Sequence, residues 1–169
     1  MGNSAGVRYV QLFDQRKDLS YNSNRGTSGI DGSTSTSVGA ALASGKPTTL
    51  ICGDLSFFYD VNGLWNPYLP SNLRIIIINN SGGGIFRIIP GPSTSDELDE
   101  FFEVTQKRTA QPIAKMYNLS YQKADSVMSL EKALLKFYNK GKRAKILEVF
   151  TPRKSNDKIL ESYFEFLKK

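Results

Sequence analysis

Residues 75–86 read Ile75-Ile76-Ile77-Ile78-Asn79-Asn80-Ser81-Gly82-Gly83-Gly84-Ile85-Phe86. A continuous β-branched run fits a strand buried on both faces, the habit of parallel sheets. The run ends abruptly at two amides and a glycine triplet. In a parallel α/β sheet, ligands bind where strands end at their carboxyl edge. The question for the rest of the chain is what else converges on that edge.

Working outward, strand and helix signals alternate. TTLICGD (48–54) reads as a strand opened by Pro47, and LSFFYDVNGLW (55–65) as the helix after it. The small-residue run VGAALASGK ends a helix at Gly45. VRYVQLFDQRK (7–17) reads as a short helix and DLSYNSN (18–24) as an extended piece. Beyond the glycines, SGGGIFRIIPGPS (81–93) is a loop, and STSDELDEFFEV (93–104) is a helix start or a mobile acidic lid. QPIAKMYN (111–118) is a helix and LSYQKA (119–124) a strand. SLEKALLKFYN (129–139) is amphipathic and expected to stop at Gly141, and RAKILEVFT (143–151) is the next strand. A final helix over 155–169 is expected to turn Ile159, Leu160, Tyr163, Phe166 and Leu167 inward. This alternation predicts an α/β fold, a three-layer, doubly wound parallel sheet with helices on both faces.

Composition narrows the chemistry. At 169 residues, with 40% hydrophobic and 22% charged, the chain is sized for one domain with a real core. There is one cysteine, Cys52, and no histidine. Intramolecular disulfides, His-dependent triads and Cys/His zinc sites are therefore excluded within this chain. A metal must sit on oxygen ligands, which favours a hard cation such as Mg²⁺. No apolar run approaches the roughly 20 residues of a membrane span, and MGNSAGVRYV is no signal peptide, so a cytoplasmic location without membrane contact is expected. The net charge of +6 lies largely beyond Lys107. No nucleic-acid motif accompanies it, so solvated helix faces explain it better than nucleic-acid binding.

Two strand ends carry oxygen ligands: Gly53-Asp54 and Asn79-Asn80. Asp54 and Asn80 together offer a carboxylate and an amide oxygen, the beginning of an octahedral Mg²⁺ site. Gly53 permits close backbone approach, and Leu55-Ser56 open a helix whose N–H groups favour an anion. Gly82, Gly83 and Gly84 let a second backbone segment approach a phosphate. The set points to a diphosphate held through a metal, against the plainer reading of strand ends with turn residues.

Longer motifs sharpen this. Gly-Asp followed across a helix and a strand by Asn-Asn is similar to the thiamine diphosphate signature, with Leu55 standing where most such signatures have glycine. The chain also reads GNSAGVR (2–8), NRGTSGIDG (24–32), GDLSFFYDVNGL (53–64) and NNSGGGIFRIIP (79–90). In that order these resemble the C-terminal diphosphate-binding domain of the MenD family, the 2-succinyl-5-enolpyruvyl-6-hydroxy-3-cyclohexene-1-carboxylate synthases. Ile89 stands in place of the usual leucine. The motifs are confined to residues 2–90; past residue 90 only element order supports the likeness.

The resemblance implies a transferase of menaquinone biosynthesis, a decarboxylating carboligase. It implies thiamine diphosphate and Mg²⁺ or Mn²⁺ as cofactors, and 2-oxoglutarate and isochorismate as substrates. Asp54, Asn80 and the Gly82 carbonyl would ligate the metal, with Gly53, Leu55, Ser56, Gly83 and Gly84 along the cofactor. Ile30 would prop the cofactor in its bent form. Arg8 and Arg25 would pair with substrate carboxylates, Ser4 would donate a hydrogen bond beside them, and Ile85 and Phe86 would form an apolar wall. Residues 1–169 are then expected to be one such domain, the C-terminal part of a larger homo-oligomeric enzyme. The activating glutamate would come from an N-terminal domain of a second subunit. Other thiamine diphosphate enzymes of the acetolactate synthase or 2-oxoacid decarboxylase type remain an alternative, as does a non-catalytic phosphate-binding domain.

Overall fold

The structure, a computed structural model, describes residues 1–168. Four strands form one all-parallel sheet in the order β1-β2-β4-β3. They are β1 (Thr48–Gly53), β2 (Leu73–Asn79), β3 (Ser120–Ala124) and β4 (Lys145–Phe150). The isoleucine run is β2, flanked by β1 and β4, as a strand buried on both faces must be.

Strand alternation sorts the core onto two faces. Leu73, Ile75 and Ile77 pack with Leu50, Cys52 and Ile146 under α2 (Ser33–Ser44), α3 (Asp54–Tyr59) and α4 (Gln111–Met116). Ile76 and Leu147 point the other way, against Leu130, Ala133 and Phe137 of α5 (Val127–Phe137). Helices on both faces complete the α/β architecture. Along the outer edge of β1, the Gly2 N–H donates to the Ile51 carbonyl at 2.7 Å. A Cβ on Gly2 would come within 2.8 Å of the Cys52 side chain, so only glycine lets the first motif lie that close to the strand.

Several element boundaries differ from expectation. The first helix, α1, is only Ala5–Val10, and residues 18–24 form no strand. The 55–65 helix breaks at Asp60 into α3 and a 3₁₀ turn over Val61–Leu64. The acidic stretch contributes a single π-turn, Leu98–Phe102. α5 begins earlier, with a capping box between Ser126 and Ser129. It also stops before Gly141: Arg74 donates to the Phe137 and Asn139 carbonyls at 2.9 and 3.0 Å, and Lys145 to those of Lys136 and Asn139. Two cations from the strands, not a glycine, satisfy that helix end. In α6 (Asn156–Leu167) only Leu160 is buried, while Ile159, Phe166 and Leu167 are 55–70% exposed. Its periodicity is amphipathic, but the described residues offer no second layer to cover it. No described helix is long and apolar enough to cross a membrane.

Candidate functional site

In parallel register, Gly53 of β1 lies opposite Ile78 of β2, so both strands end at one level. There a cavity of about 290 Å³ opens. Segments far apart in sequence line it: Ser4 from the first motif, Ile30 from the second, Gly53 through Ser56 from the third, and Asn80, Gly82, Gly83, Gly84 and Phe86 from the fourth.

Hydrogen bonds between the motifs build its walls. Asn3 is buried and donates to the carbonyls of Asn24 and Gly29 at 2.7 and 2.6 Å, tying the first motif to the second. The Ser56 hydroxyl donates to the Ile30 carbonyl at 2.7 Å, tying the third to the second. Ser56 thus both lines the cavity and seats Ile30. The Asp60 carboxylate accepts from the Ser35 N–H and hydroxyl at 2.7 and 2.6 Å, capping the first turn of α2. A Cβ on Gly63 would meet Ser35 within 2.8–2.9 Å. The Asp and Gly in the second half of GDLSFFYDVNGL therefore hold α2 against the 3₁₀ turn.

Ser4 precedes α1 at φ 67° and ψ −133°, a conformation disfavoured for a residue with a Cβ. Ser28 and Ser81 are also at positive φ. Such backbone strain at a cavity rim marks sites that the surrounding contacts hold in place.

Asp54 is 1% exposed at the cavity floor. No lysine or arginine pairs with it among the described residues. Burial pushes its carboxyl up to about 6, partly offset by hydrogen bonds from Gln106 and the backbone N–H groups of Leu55 and Gly82. An uncompensated buried carboxylate is costly unless a cation meets it. No cluster of three His, Cys, Asp or Glu forms a metal site among the described residues. A cation here would have Asp54, the Asn80 amide and the Gly82 carbonyl within one cavity lining, an all-oxygen set of the kind that suits Mg²⁺. The Gly82 carbonyl accepts from the Gly84 N–H at 3.0 Å, which leaves its second lone pair. The residues present fit a metal–diphosphate pair.

The glycine triplet has a further reason for being glycine. Gly82 sits at φ 151°, and a Cβ there would lie 2.7 Å from the Glu103 carbonyl. The Gly83 N–H donates to that carbonyl at 2.6 Å. The triplet is pressed against the 103–106 segment on one side while it lines the cavity on the other.

Asn79 turns away from the cavity. Its Nδ2 donates to Glu148 Oε1 at 2.8 Å and to the Arg108 carbonyl at 3.1 Å, and its Oδ1 accepts from the Ser81 N–H. Glu148, fully buried in β4, also accepts from the Ala110 N–H and the Tyr121 hydroxyl. Of the remaining sequence candidates, Ile85 is buried and does not line the cavity; Phe86 and Ile88 form its apolar wall. Arg8 and Arg25 stand exposed outside the lining, Arg25 donating to Asn3 Oδ1 at 3.0 Å.

Sequence reading missed three polar residues that hold this edge together: Gln106, Glu103 and Glu148. Glu148 left one signal, a carboxylate inside the apolar strand KILEVF. The other two sit in a segment with no periodicity.

Three curated proteins with similar sequences share one name. A synthase from Christiangramia forsetii is 54% identical over 167 residues, 99% of this chain and 29% of its own length. One from Flavobacterium johnsoniae is 52% identical over 99% of the chain and 30% of its own. One from Porphyromonas gingivalis is 46% identical over 98% and 29%. All three are named 2-succinyl-5-enolpyruvyl-6-hydroxy-3-cyclohexene-1-carboxylate synthase. The chain is homologous to the MenD synthases. It spans about 30% of the length of these relatives. No family model matches it. The match covers 99% of the chain and so extends past residue 90, where motifs alone did not separate MenD from other α/β chains.

Proposed function

We propose that residues 1–169 are one diphosphate- and Mg²⁺-binding domain of a MenD synthase. The whole enzyme would decarboxylate 2-oxoglutarate and add the succinyl unit to isochorismate. The observation that carries this reading is Asp54, a buried carboxylate that pairs with no lysine or arginine among the described residues, in a cavity assembled from four MenD-like motifs.

In this reading Asp54, Asn80 and the Gly82 carbonyl hold the metal, which Mn²⁺ can replace. The segments carrying Gly53, Leu55, Ser56, Gly83 and Gly84 lie along the diphosphate. Ile30, seated by Ser56, supports the cofactor from the opposite wall. Thiamine diphosphate, when bound, supplies the electron sink for loss of CO₂ from a 2-oxoacid. Ser4 donates into the pocket, and Phe86 with Ile88 keeps water from the reacting carbon. Arg8 and Arg25, both exposed, present guanidinium forks to the carboxylates of two dianionic substrates. The activating glutamate belongs to another domain of the enzyme, contributed by a second subunit.

The test is consumption of 2-oxoglutarate with isochorismate by the full-length enzyme, dependent on thiamine diphosphate and Mg²⁺. Asp54→Ala is expected to abolish it, and the 169-residue chain alone is expected to show none. Normal metal dependence in Asp54→Ala, or turnover by the isolated chain, overturns the assignment.

A further inference from the structure

Among the described residues the Asp54 carboxylate has one side-chain partner, Gln106, whose Nε2 lies 2.5 Å from Oδ2. Gln106 is 52 residues away in sequence and 5% exposed. Its other groups are already committed. Its backbone N–H donates to the Ser81 carbonyl at 3.1 Å, and its Oε1 accepts from the Arg108 N–H. That second bond decides which way the amide faces. With Oε1 on a backbone donor, the NH₂ must face Asp54 and Asn79, whose Oδ1 it approaches at 3.4 Å. The flipped amide would set an oxygen against a carboxylate and an NH₂ against an N–H.

The segment carrying Gln106 is itself clasped. The Glu103 carboxylate, fully buried, accepts from Arg87 at 3.1 and 2.5 Å and from Arg153 at 3.1 and 2.7 Å. Asp99 adds a second acceptor for both arginines. The Glu103 carbonyl meanwhile holds Gly83. Three anchors thus converge on one short stretch of chain, and from it the Gln106 amide reaches the buried Asp54 carboxylate.

We propose, resting on the metal-site reading of Asp54, that Gln106 is a positioning residue for the metal. It holds Oδ2 and so fixes the rotation of the carboxylate that must meet the ion. Mg²⁺ demands near-ideal octahedral geometry at roughly 2.0–2.1 Å, whereas Ca²⁺ accepts irregular shells at about 2.3–2.6 Å. A carboxylate free to rotate therefore harms Mg²⁺ binding more than Ca²⁺ binding. Groups that orient metal ligands typically contribute about 10–100-fold in affinity.

The experiment titrates Mg²⁺ and, separately, Ca²⁺ calorimetrically into the full-length enzyme with thiamine diphosphate present. It compares wild type with Gln106→Met and Gln106→Leu, which remove the donor at similar volume, and with Asp54→Ala. Metal-free thermal unfolding of each reports folding. Gln106→Met is expected to weaken Mg²⁺ about 10-fold and Ca²⁺ less than about 3-fold, lowering the Mg²⁺/Ca²⁺ preference. Gln106→Leu, read the same way, covers failure of the first variant to fold. A change in metal-free melting with the Mg²⁺/Ca²⁺ preference intact assigns Gln106 a packing role and overturns the proposal. Unchanged Mg²⁺ affinity in the Gln106 variants, with binding lost in Asp54→Ala, overturns it and leaves the metal site standing. Unchanged Mg²⁺ affinity in Asp54→Ala overturns the metal site itself.

Discussion

Asp54 shows how one side chain can weaken a fold and prepare a site. Its carboxyl titrates near 6 in the folded chain against 3.8 for the exposed group. The folded state therefore holds the proton more tightly than the unfolded state between those values. Stability linked to this group is fully present below about pH 4 and is lost as pH rises through about 6. At neutral pH the charged group costs on the order of 3 kcal/mol in the absence of a cation. Asp54→Asn removes the charge and should raise the metal-free melting temperature of the full-length enzyme at pH 7. It should also flatten the fall in stability between pH 4 and 6, measured by thermal unfolding across that range. An identical pH profile in the variant counts against a raised carboxyl. The same change should eliminate stabilisation by Mg²⁺.

At the scale of elements, the segment from the π-turn (Leu98–Phe102) to Gln106 has little regular structure and few apolar anchors. What holds it is the buried Glu103 between Arg87 and Arg153. Removing one partner of a buried ion pair leaves uncompensated charge and typically costs about 3–5 kcal/mol. Glu103→Ala should destabilise the full-length enzyme near the low end of that range, because Asp99 still reaches both arginines. Amide hydrogen exchange should accelerate at Gly83 and Gln106 ahead of the strands. Equal protection in the variant would show that backbone bonds alone hold the segment. A lid in the sense of a freely swinging loop does not describe it: the acidic residues Asp99 and Glu103 point into cationic partners of the same chain.

For the whole molecule, the surface is notable for what it leaves bare. Tyr59 at the end of α3, and Trp65 and Tyr68 on the connection after it, are 70–73% exposed. With the open face of α6 they leave more aromatic and aliphatic surface than an isolated domain usually tolerates. The 169-residue chain, expressed alone, should self-associate with concentration in sedimentation velocity runs. Trp65→Lys paired with Tyr68→Lys should reduce that association. A monomer at all concentrations would mean these residues are singly tolerated surface.

Much of this was legible in sequence because it is local. Ile75–Ile78 predicts a central parallel strand by composition alone, and Gly45 stops α2 because it adopts the left-handed conformation, φ 64°, that a C-cap needs. Asp54 and Asn80 were readable because topology sends every parallel strand end to one edge. The sequence by itself determined the α/β class, the strand ends that carry oxygen ligands and the kinship with MenD synthases. Only the tertiary structure decided how those pieces hold one another. Gln106 meets Asp54 across 52 residues, and Glu148 reaches Asn79 across 69. It also decided that Ser56 seats Ile30, that Asp60 caps α2 and that Gly82 yields to the Glu103 backbone. The physical reason is range. Propensity and periodicity are properties of neighbours in the chain, whereas the satisfaction of a buried polar group depends on whatever the fold brings beside it.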